Sequence, residues 1–108
     1  MLSQGARRAI ESVENVVTAS AASLWEISIK SATGKLRSSI ADPVADLEAR
    51  GIEALAITAE HAWAAGALPL HHRDPFDRLL VAQAQLEGLT IVTRDPQIAR
   101  YQVAILPA

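Results

Sequence analysis

The stretch HRDPFDRLLVAQAQLEGLTIVTRD, residues 72–95, contains a complete helix-to-strand unit. Asp74 is a good N-cap, Pro75 suits the first helical position, and Asp77 falls in the first turn near the positive end of the helix dipole. Leu79, Leu80, Ala82, Ala84 and Leu86 then make an almost wholly apolar helix that stops at Gly88. Such a helix is mostly buried, which puts Asp77 at the rim of a core. An unpaired carboxylate there is costly, so a partner or a metal ion is expected beside it. Leu89-Thr90-Ile91-Val92-Thr93 follows as the clearest strand of the chain and ends at Arg94-Asp95.

Working outward, the same alternation recurs. Ser3 can cap an amphipathic helix over 3–13, with Ala6, Ala9, Ile10 and Val13 on one face and Arg7, Arg8 and Glu11 on the other. Residues 15–19 read as a strand covered on both faces, and Ser20 caps a helix carrying Leu24, Trp25, Ile27 and Ile29 that ends near Gly34. Lys35 to Ser39 is a polar connector. A short helix enters through Asp42-Pro43 and closes at Gly51, residues 54–57 form a second strand, and Thr58 caps a helix that runs to about Gly66. Pro96 can start a short helix, and residues 103–106 form the last strand. Strands alternating with helices predict βαβ units and a parallel sheet within a single domain, residues 1–108.

Composition narrows the chemistry. Half of the 108 residues are hydrophobic and 4% are aromatic, a make-up for close-packed helices rather than a β-sandwich. The net charge of −2 gives no global basic field, so a nucleic-acid partner must be held by a local cluster or through a metal ion. No cysteine is present, which removes disulfides, thiolate catalysis and thiolate metal sites, and agrees with a reducing cytoplasm. No apolar run approaches the roughly 20 residues needed to span a bilayer, and the N-terminus carries no apolar signal core. A soluble, cytoplasmic protein is expected.

In parallel α/β sheets, ligands bind beyond the carboxyl ends of the strands. Asp77 and Asp95 meet that rule directly, and Glu26 lies about two turns into the helix after the first strand. Three carboxylates above one sheet edge would need a shared proton, cationic partners or a divalent ion, and hard oxygen donors favour Mg2+ or Mn2+ over zinc. Each acid also has a plainer role: Glu26 can pair with Lys30 at i,i+4, Asp95 can cap a turn, and Asp77 can serve the helix dipole. Arg73, Arg78 and Arg94 each neighbour one of the acids; they either neutralise the carboxylates or hold substrate phosphates. His71 and His72 are adjacent and poorly placed to share a metal, His61 reads as a surface or edge residue, and Trp25 and Trp63 read as core.

With SAASLWEISIKSATGKL at 20–36, the 68–95 segment and ARYQVAIL at 99–106, the chain resembles the PIN-domain ribonucleases and, within them, the VapC-type toxins of bacterial toxin–antitoxin pairs. The resemblance implies a three-layer αβα fold with a mainly parallel sheet. It also implies an acidic pocket that binds Mg2+ or Mn2+ and cleaves RNA by activating water. By that resemblance Glu26, Asp77 and Asp95 are the catalytic metal ligands, and Thr93 helps orient a ligand or water. A VapB-type antitoxin and a second copy of the chain are the implied partners. One departure stands out: the family opens with a central strand ending in an aspartate ligand, and this sequence shows no counterpart, so weakened metal binding and activity are expected unless the natural chain is longer. The alternative is a catalytically inactive domain kept as an antitoxin-binding or dimerisation module.

Overall fold

The computed structural model describes residues 2–34, 42–70 and 74–108. The chain is mixed α/β and divides into two compact units: residues up to Asn15 with Thr58–Ala108, and Val16–Ile57. Both contain parallel strands, as the alternation of elements predicts.

In the first unit, α1 (Gln4–Glu11) starts at Ser3, whose hydroxyl accepts from the Ala6 amide at 3.1 Å and donates to the Pro107 carbonyl at 2.7 Å. That second bond ties the helix to β4 (Ala104–Pro107). The helix α4 (Ala59–Ala67) packs along α5 (Pro75–Glu87). Asp74 caps α5 and Gly88 closes it at φ 67°, both where the sequence predicts. A residue with a Cβ is strained in this left-handed conformation. Gly88→Ala should therefore destabilise the chain by about 1 kcal/mol, read as a lower midpoint in urea unfolding.

After Gly88 the chain enters β3 (Thr90–Thr93), which pairs in parallel with β4: Thr90 lies opposite Ala104 and Thr93 opposite Pro107. A single turn of 3-10 helix, Ile98–Arg100, links the two strands. Pro96 thus precedes a shorter element than expected. The core of this unit is Val81, Ile98 and Tyr101, all buried, with Leu68, Ile91, Val103 and Ile105 packed against them.

In the second unit, β1 (Thr18–Ser20) pairs in parallel with β2 (Glu53–Leu55), Thr18 opposite Glu53. Ser20 caps α2 (Ala21–Ala32) by accepting from the Ala22 amide at 3.0 Å. Asp42 caps α3 (Pro43–Ala49), and Gly51, at φ 75°, follows it.

Several boundaries differ from the sequence expectation for local reasons. The strand expected from residue 15 begins at Thr18, because Asn15 is spent on α1: its amide bonds Ser12 O and its side chain donates to Ala9 O at 2.9 Å. Val13 lies in the turn beyond the last residue of α1 and is fully exposed, not on the helix's apolar face. The second strand begins one residue earlier than expected and ends at Leu55. Trp63 is 86% exposed and Trp25 58% exposed, so neither is core. On α4 the buried positions go to His61 and Ala65 instead. The polar connector expected at 35–39 lies outside the described residues.

Candidate functional site

The first turn of α5 is built by Asp74. Its Oδ1 accepts from the amides of Phe76 at 2.9 Å and Asp77 at 3.4 Å, satisfying donors that a helix start leaves without internal partners. Asp74 is thereby a structural acid, as its position in the sequence suggests. Asp77 is half-buried one helical turn before Val81, on the face that enters the core.

Asp95 follows β3. Its amide donates to Thr93 Oγ1 at 3.1 Å, and its Oδ1 accepts from the Gln97 amide at 2.8 Å. The hydroxyl of Thr93 therefore orients the backbone of Asp95. These bonds fix the turn that carries the half-buried acid out of the strand.

Helix and strand lengths bring Asp77 and Asp95 to the same end of the unit. α5 packs against β3, and the short link at Gly88-Leu89 reverses the chain between them. The ten residues back from Glu87 to Asp77 rise about 15 Å along the helix, and β3 rises about 10 Å from Thr90 to Thr93, with Asp95 two residues further on in the turn.

Glu26 belongs to the other unit, on α2, and is described there by itself. Its Oε2 lies 3.8 Å from Lys30 Nζ, the i,i+4 pair read from the sequence. Both side chains are partly solvated, so the pair contributes only a few tenths of a kcal/mol. Arg94 donates through Nε to the Ala108 carbonyl at 2.8 Å. Arg78 turns towards the end of α4, where it donates to the carbonyls of Ala65, Leu68 and Pro69 at 2.9, 3.2 and 3.2 Å. Arg73, His71 and His72 lie outside the described residues.

His61 corrects the sequence reading outright: it is 1% exposed, not a surface residue. Thr58 and His61 form a capping box. The Thr58 amide donates to Nδ1 at 3.0 Å, and the His61 amide donates to Thr58 Oγ1 at 3.2 Å. Because Nδ1 accepts a main-chain N–H, the ring hydrogen sits on Nε2 and points at Glu87 Oε1, 3.0 Å away. Gln83 Nε2 approaches Nδ1 at 3.4 Å. The sequence signal for this is Thr-x-x-His at 58–61, a capping box with histidine where glutamate is usual. Beside it, the carboxyl of Glu60 is held below the usual carboxylate range, first by its own main-chain amide and then by Thr58. Since the folded value is the lower one, this exposed group's contribution to the helix start is present at neutral pH. It fades as pH falls through the carboxylate range.

The sequence profile of the PIN domain matches residues 2–104 of the 108. The chain belongs to the PIN domain family. No curated protein and no solved structure matches it. PIN domains are typically metal-dependent nucleases, which act on nucleic acid with divalent ions. The carboxylate oxygens of Asp77 and Asp95 are the right donors for such an ion. Among the described residues no three His, Asp or Glu side chains form a group that could hold a metal. Among the same residues no helix is long and apolar enough to cross a membrane.

Proposed function

We propose that this PIN domain is a VapC-type endoribonuclease, the toxin of a toxin–antitoxin pair, and that Glu26, Asp77 and Asp95 are the acids its Mg2+ or Mn2+ draws on. The observation that carries the reading is the match to the PIN family over nearly the whole chain, with acids at the motif positions. The placement of Asp77 and Asp95 at one end of the first unit supports it. When bound, a divalent ion lowers the pKa of its water and steadies charge on a phosphate. The chain's own contribution is to hold the acids. Asp74 shapes the turn under Asp77, Thr93 shapes the turn under Asp95, and Arg73 and Arg94 offset the carboxylate charge or meet the RNA backbone. A VapB-type antitoxin, a second copy of the chain and a cytoplasmic setting belong to the same reading.

The alternative is a non-catalytic module that binds an antitoxin or another copy. Titration with Mn2+ by calorimetry separates the two. For a nuclease, Asp77→Asn, Asp95→Asn and Glu26→Gln should each weaken Mn2+ binding by more than about tenfold and stop RNA cleavage, with the melting temperature little changed. Equal Mn2+ binding by the parent chain and all three variants would sink the nuclease reading.

A further inference from the structure

The interactions of Arg78 are unlike those of a residue waiting for a phosphate. One terminal nitrogen, Nη2, lies 2.9 Å from Ala65 O, 3.2 Å from Leu68 O and 3.5 Å from Gly66 O, while Nη1 donates to Pro69 O at 3.2 Å. Ala65 and Gly66 are in the last turn of α4, where the dipole favours a cation; Ala65 O accepts only a long bond, 3.4 Å, from the Leu68 amide. The guanidinium therefore acts as the C-terminal cap of α4. Its own Cα is in the first turn of α5, directly after Asp77. His61 joins the same two helices at their other end through Glu87 and Gln83, so the pair is held at both ends.

We infer that Arg78 is a positioning residue, whose grip on the end of α4 fixes the first turn of α5 and with it the carboxylate of Asp77. The functional half of this inference rests on the reading of Asp77 as an acid of the nuclease site. The planar fork reaches Pro69 O through a second nitrogen while Nη2 serves Ala65 and Leu68; a lysine ammonium ends one bond short of Nη2 and has no second nitrogen, so it loses the Pro69 contact and falls short of the others. A phosphate-binding cation, by contrast, tolerates lysine because charge alone satisfies much of the contact.

The test compares the full chain with Arg78→Lys and Arg78→Met, by amide hydrogen exchange without metal and then by Mn2+ titration. A clamp predicts that in both variants the amides of Phe76, Asp77 and Arg78 exchange about tenfold faster, while Val81 to Ala84 keep their protection. It also predicts that Mn2+ binding weakens about tenfold in both, with no rescue by lysine. The inference is overturned if Arg78→Lys exchanges like the parent chain, or if exchange rises while Mn2+ binding stays the same. If none of the three chains binds Mn2+, the nuclease reading of Asp77 fails and so does the functional half of this inference. The exchange data then still decide whether the clamp exists.

Discussion

Replacing His61 with alanine should cost the first unit about 3 kcal/mol, a fall in melting temperature of roughly 15 °C for a chain of this size. The ring is fully enclosed, and its two nitrogens serve three different groups: the Thr58 amide, Gln83 and Glu87. Truncation removes the acceptor from the start of α4, takes a donor from Glu87, and leaves a void between two packed helices. A net hydrogen bond contributes about 1 kcal/mol and a buried group left without its partner costs about 1–3 kcal/mol, so the losses together outweigh any relaxation of the site. His61→Gln separates the cap from the cross-link. Glutamine is a usual third residue of a capping box and can accept the Thr58 amide, but it cannot also span to Glu87 as the ring does. It should recover about half of the loss in thermal denaturation. A loss under about 0.5 kcal/mol for the alanine variant would mean that the ring is only filling space.

That histidine marks where local patterns stop being informative. Around α5 each feature is fixed by chemistry within a few residues: Asp74 accepts from amides two and three positions on, Pro75 fits the first turn, and Gly88 accommodates the positive φ. All three are readable in order along the chain. In α4 the residues are mostly alanine, and periodicity cannot say which side faces inward when nearly every side chain is small. The tryptophan looks like the anchor of that helix, yet the inward positions are taken by Ala65 and by a polar ring whose partners sit 22 and 26 residues further on. Nothing near position 61 announces Gln83 or Glu87.

The acids follow the same division. The i,i+4 spacing of Glu26 and Lys30 makes their pairing legible, and the rule that ligands gather beyond strand ends singles out Asp95. In the sequence Arg78 is readable only as a charge beside an acid. What its guanidinium grips depends on the end of the preceding helix, ten and more residues back, and this non-local contact changes it from a candidate phosphate ligand to a cap.

Val81→Asp should largely unfold the first unit, at a cost of several kcal/mol against the 5–15 kcal/mol that holds a typical domain together. Val81 has no exposed surface and touches the buried Ile98 and Tyr101, so a carboxylate there finds neither water nor a cation in that cluster. The position is also one turn from Asp77 on the same face of α5, so the layer that excludes water from the core is the floor beneath that acid. Unfolding at position 81 should therefore remove Mn2+ binding together with stability, whereas Asp77→Asn should remove binding alone. Trp63→Asp is the matched control. It places the same charge on the neighbouring helix at a side chain 86% exposed and should shift stability by no more than about 0.5 kcal/mol. Circular dichroism melts of the two variants check the contrast. A Val81→Asp chain that melts like the parent would show that α5 does not bury this face in solution, and the placement of Asp77 at the core's rim would fall with it.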